Sequence, residues 1–104
     1  MNKPLLWIGL VEVTPLNRAA YGAAGAFTNI ITWACDTEGF RQNADRIAAT
    51  LDMYVANVEG VEPLSERSRR STLTEEIEDM VRRAETNPDA IVYGTFHRYP
   101  FDEA

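Results

Sequence analysis

The sequence predicts a two-layer α+β domain: a four-stranded mixed or antiparallel sheet carrying two helices on one face, in the order β-β-α-β-α-β. Three observations lead there. Four extended runs, rich in branched and aromatic residues, lie at 5–13, 26–35, 53–59 and 91–101. Two stretches repeat apolar residues at the same helical offsets, Phe40, Ala44, Ile47, Ala48 and Leu51 in one and Leu73, Ile77, Met80, Val81 and Ala84 in the other. Each stretch has a single apolar stripe, which seats a helix on one surface, so both helices are expected on the same side of the sheet. With 104 residues, 45% hydrophobic and 25% charged, the chain has the size and composition of one globular domain, 1–104.

The first strand runs from Leu5 to Val13. Its apolar run is too short for a leader and meets Glu12 with no small-residue cleavage site, so it reads as a strand. Pro15 ends it, because proline cannot donate to a central ladder. Residues 16–25 hold two glycines and small side chains; they read as a mobile loop with a short helical turn around 19–23. The second strand, Ala26 to Cys35, sends Phe27, Asn29, Ile31, Trp33 and Cys35 to one face. The smaller set Ala26, Thr28, Ile30, Thr32 and Ala34 points the other way, under a helix or into solvent. Asp36 or Thr37 caps the first helix and Glu38 complements its dipole.

The third strand spans Met53 to Glu59, and Gly60 and Pro63 break it. Residues 61–71 read as a solvated loop whose Arg67, Arg69 and Arg70 form a basic cluster, a candidate contact for an anion or acidic partner. Thr72 opens the second helix, with Glu75 at capping-box spacing, and Asn87-Pro88 stops it. The last strand, 91–101, holds the one histidine, His97, and two of the four tyrosines, Tyr93 and Tyr99. It is apolar on both faces, which asks for cover on both.

That demand extends to the whole sheet. Large apolar groups fall on both strand parities, Trp7 with Ile8 and Tyr93 with Phe96. If both helices share a face, the other is left as an apolar patch. A homodimer packed through the sheet is the expected remedy, with loops folding over that face as the alternative.

Several function classes are disfavoured. The net charge of −6 and a pI near 4.7 oppose binding to nucleic acid. No apolar run approaches the roughly 20 residues that span a bilayer. A lone cysteine, Cys35, makes no internal disulfide and fits a reducing cytoplasm. One histidine and one cysteine far apart argue against a metal site, and nothing in their spacing argues for a hydrolase triad. Gly22-Ala23-Ala24-Gly25 leads into a strand rather than a helix, so it lacks the dipole that holds phosphate, and no cofactor is expected.

Polar residues within the strands mark the candidate site. Asn29, Asn57 and His97, if they share a face, form a polar cluster among Trp33, Tyr93 and Tyr99, a lining suited to a small molecule. A hydrogen-bond network inside a dimer interface is the plainer reading of the same residues. The function expected is a non-enzymatic binding or interaction module for a small molecule or a protein. One alternative is a small enzyme using His97 as general acid or base, oriented by Glu12 or Glu59. Another is an acidic inhibitor, such as an immunity protein, masking a basic surface.

Gly25-Ala26-Phe27-Thr28-Asn29, Val61-Glu62-Pro63-Leu64 and Gly94-Thr95-Phe96-His97-Arg98-Tyr99-Pro100 resemble small bacterial proteins carried on mobile (integron) gene cassettes. The resemblance implies a bacterial cytoplasmic origin and an α+β architecture. It brings no activity, cofactor or site residue with it.

Overall fold

Strand β1 (Leu5–Pro15) is the axis of the fold. It pairs antiparallel with β2 (Gly25–Ala34) on one side and with β3 (Met53–Pro63) on the other. The computed structural model describes residues 3–101; residues 1–2 and 102–104 of the expected 1–104 domain lie outside the described residues. Beyond β2 the sheet continues through β4 (Ile91–Tyr93), and β5 (His97–Tyr99) pairs further along β2. All these pairings are antiparallel, in the order β3-β1-β2-β4, with β5 on β2 beside β4. The architecture is α+β, as expected, but the described residues form five strands rather than four and four helices rather than two.

The two main helices lie on opposite faces of the sheet, which corrects the expectation of a shared face. Helix α2 (Thr37–Thr50) leaves β2 and packs Phe40, Ala44 and Ala48 onto Val11, Val13, Ala26, Ile30 and Val55. Helix α4 (Glu75–Glu85) packs Ile77, Met80 and Ala84 onto Ile8 and Ile31. Ile30 and Ile31 are consecutive, so they face opposite ways, and both are fully buried. The chain crosses from β2 to β3 over one face and returns from β3 to β4 over the other. Much of the cover that the sequence assigned to a second subunit therefore comes from this chain. The threonine-rich parity of β2 lies under α2, where Asn43 Nδ2 donates to Thr32 Oγ1 (3.0 Å) and Thr32 Oγ1 donates to the Ala90 carbonyl (2.9 Å).

Other departures have local causes. Residues 61–71 are not a loop: β3 runs on to Pro63, and α3 (Leu64–Arg70) follows it. Gly60 does not break the strand. It takes φ of 60° at a register shift, where β3 has one residue more than β1, so the strand bulges and continues. A second shift falls opposite Glu12 and Val13. Helix α4 is capped by Thr74, whose hydroxyl accepts the Ile77 N–H (3.2 Å), and not by Thr72. The final strand is two short ones, interrupted at 94–96, where Glu76 of α4 takes the Thr95 N–H and hydroxyl. The expected turn near 19–23 is α1 (Arg18–Tyr21), and Asp36 caps α2 through the Gly39 N–H (2.7 Å).

Among the described residues, no helix is long and apolar enough to cross a membrane.

Candidate functional site

Helix α4 and the α3–α4 connection cover only part of their sheet face. In an antiparallel sheet, directly paired residues share a face, so the register gives the layout of the rest. Ile8 pairs with Ile31 and Glu62, and this rung lies under the helices. The next rung reads Glu59, Leu10, Asn29; the one after it reads Asn57, Glu12, Phe27, His97. Tyr54 and Thr14 follow on β3 and β1, with Gly25 and Tyr99 on β2 and β5.

A cleft of about 490 Å³ opens where the helical cover ends. Its floor is apolar, from Ile8, Leu73 and Ile77. Asn29 and His97 enter from the sheet, Ser71 and Thr72 from the α3–α4 connection, Glu76 from the first turn of α4 and Arg67 from α3. Among the described residues, the side chains of Asn29, His97, Ser71 and Thr72 have no hydrogen-bond partner. They are polar groups with unused capacity around an apolar floor, the lining that orients a small ligand.

Arg67 and Glu76, by contrast, are engaged. Arg67 Nε donates to Glu62 (2.6 Å) and its Nη2 to the Gly60 carbonyl (3.1 Å). Arg70 binds the same Glu62 carboxylate. The hydrogen bonds from Arg70 and Arg67 hold Glu62 at about 2, well below the ordinary 4.5. This triad fastens α3 to the end of β3. Arg69 pairs with Glu66 on the solvent side (3.4 Å). The three arginines are therefore ion-paired on a helix, which corrects the reading of a solvated basic loop. Glu76 is held below the usual carboxylate range by the Thr95 hydroxyl (2.7 Å) and Thr95 N–H, and His97 adds to this through space.

The six expected site residues divide. Asn29 and His97 meet in the cleft. Tyr99 and Asn57 share its sheet face but stand outside it: Tyr99 Oη donates to Glu12 Oε2 (2.5 Å), and Asn57 Nδ2 to Glu59 Oε1 (3.2 Å). Asn57 and His97 are three strand spacings apart, about 14 Å at ~4.8 Å each. Donation to the Glu12 carboxylate, together with burial, raises the Tyr99 phenol above its ordinary value. Trp33 lies at the far end of β2, where its indole N–H donates to the Ala84 carbonyl (2.8 Å). Tyr93 pairs with Ile30 and so belongs to the α2 face, its ring against Phe96 at 5.3 Å. These two do not join the cluster.

The catalytic reading asked for Glu12 or Glu59 beside His97, and neither is there. Phe27 stands between Glu12 and His97 on their shared rung, and Glu59 lies beyond β1. Among the described residues, no hydrogen bond joins His97 to a carboxylate, and no group of three His, Cys, Asp or Glu side chains could hold a metal ion.

Sequence reasoning does not single out Ser71 or Glu76; it reads Thr72 only as the start of a helix, and Arg67 as a contact for an anion or acidic partner rather than as part of this cleft. A signal for α3 was present in the charge order, with Glu66 early and Arg67, Arg69 and Arg70 late, which complements a helix dipole. Comparison with family models, with curated proteins and with solved structures finds no match to this chain.

Proposed function

We propose that the protein is a binding module that takes a small polar molecule in the cleft between α4 and the sheet. The observation that supports this is the set of four side chains, Asn29, His97, Ser71 and Thr72, which converge on an apolar floor without partners among the described residues. Between them they offer amide, hydroxyl and imidazole groups, both donors and acceptors. The one cation, Arg67, is neutralised by Glu62, and Glu76 adds a negative charge. A neutral or amine-bearing ligand suits this balance better than an anion does. Binding is favoured over acid–base catalysis because, among the described residues, no carboxylate is hydrogen-bonded to His97.

The test is titration of the ¹⁵N-labelled chain with a panel of small polyols, carboxamides, amines and carboxylates, followed by amide NMR shifts. The expected result is saturable shifts at Asn29, Ser71, Thr72 and His97 with a neutral or amine member, weakened at least tenfold by Asn29→Ala. No saturable shift at these four residues with any member at millimolar concentration would refute the proposal.

A further inference from the structure

Below the cleft, the same sheet face carries on, and no helix among the described residues covers it. It presents Leu10, Phe27, Tyr54 and Tyr99 together with two carboxylates, Glu12 and Glu59. Tyr54 is half exposed, and the Phe27 and Tyr99 rings pack tilted at 43° with centroids 5.5 Å apart, each partly open to solvent. We propose that this face docks a protein segment bearing arginine or lysine side chains.

Charge decides the occupant. Among the described residues four carboxylates carry ion pairs, Glu62 with Arg67 and Arg70, Asp45 with Arg41, Glu66 with Arg69, and Asp79 with Arg82 and Arg83; what sets Glu12 and Glu59 apart from the other unpaired carboxylates is the aromatic sheet face on which they stand. Among the described residues, Glu12 and Glu59 have no ion-pair partner; they are bonded only by Tyr99 and Asn57. Arg18 acts on Tyr99 through space, but among the described residues it forms no ion pair with either carboxylate. Aromatic rings flanking unmatched carboxylates are a receptor for guanidinium or ammonium groups, which gain from the ring faces and the charges together. The overall charge of −6 steers such a partner in.

The same observations disfavour the other occupants. A second copy docked face to face would bring four like charges into one interface, and among the described residues no cation is paired with them. Strand addition along the free edge of β3 would meet the register shifts opposite Ile8–Leu10 and Glu12–Val13, where the edge bulges away from regular pairing. The partner therefore lies across the face and reaches cationic side chains to Glu12 and Glu59. This docking does not depend on the cleft being a ligand site.

The experiment uses a peptide of four Arg-Ser repeats and its citrulline counterpart, which keeps the shape and removes the charge. Each is titrated into the ¹⁵N-labelled chain. The proposal expects saturable shifts at Leu10, Glu12, Phe27, Asn57 and Tyr99 with the arginine peptide, and at least tenfold weaker binding of the citrulline peptide. It also expects at least a tenfold loss in the Glu12→Gln/Glu59→Gln double variant, in which the glutamines still accept from Tyr99 and Asn57. Tyr54→Ala, on an exposed ring, should weaken binding without touching those bonds. Equal binding of both peptides, or an undiminished response in the double variant, would overturn the proposal. So would shifts centred on the acidic first turn of α4, Glu75, Glu76 and Glu78. A concentration-dependent dimer whose shifts map to this face would assign it to a second copy instead.

Discussion

Replacing Ile30 and Ile31 by alanine, one at a time, tests whether the sheet is covered from both sides by its own helices. The two side chains are adjacent in β2 and fully buried, Ile30 beneath α2 and Ile31 beneath α4. Each change removes three methylene equivalents, worth about 0.8 kcal/mol apiece in transfer alone. The remaining cavity adds to that, so each variant should lose about 2–5 kcal/mol. Urea unfolding followed by far-ultraviolet circular dichroism reads this directly. With a slope of about 1–3 kcal/mol/M, a loss near 3 kcal/mol lowers the midpoint by roughly 1–3 M. The two variants should be of similar severity, and their losses should not depend on protein concentration. If Ile31→Ala stays within about 0.5 kcal/mol of the parent, as a solvent-facing substitution would, the placement of α4 is wrong. If its cost appears only at high protein concentration, the cover comes from a second subunit.

Thr74→Ala should cost about 1 kcal/mol by thermal or urea unfolding, because it removes the cap of α4, whereas Thr72→Ala should be nearly neutral; the reverse order would return the cap to Thr72. Gly9→Ala should destabilise by about 1–3 kcal/mol in the same assay, since its Cβ would lie 2.7 Å from Cζ of the fully buried Phe40 ring. Glu62 has a folded-state pKa of about 2 against 4.5, so its contribution is complete above about pH 4.5 and disappears as pH falls toward 2. Urea midpoints measured from pH 6 down to pH 2 should fall less steeply in Glu62→Gln than in the parent; equal slopes would show that the triad does not act in solution.

Much of the fold is legible in the residues because helices and strands bury periodic sets. Phe40, Ala44 and Ala48 in α2, and Ile77, Met80 and Ala84 in α4, are buried at the positions where their spacing puts them. A stripe states that a helix has one buried side; it does not state which face of the sheet receives it. The apolar groups on both strand parities were the available clue. They fit α2 and α4 on opposite faces as readily as they fit a second subunit.

The site was half legible. Asn29 and His97 stood out as polar residues within strands, and the register brings them to one cleft. Ser71 did not stand out, Thr72 reads as a helix start and Arg67 as part of a solvated basic cluster, because α3 has no apolar period and is held by the Glu62 ion pairs instead. Trp33 stands apart from the cluster: it lines separate grooves at the far end of β2, where its indole N–H satisfies the Ala84 carbonyl near the C-terminal end of α4.

Both the cleft and the open face below it exist because α4 sits across the sheet from α2. Methyl nuclear Overhauser contacts from Ile30 and Ile31 measure that arrangement without a variant. The structure predicts contacts from the Ile31 methyls to Ile77 and Met80, and from the Ile30 methyls to Phe40 and Ala44. Contacts from Ile31 to residues of α2, or to neither helix, would contradict it.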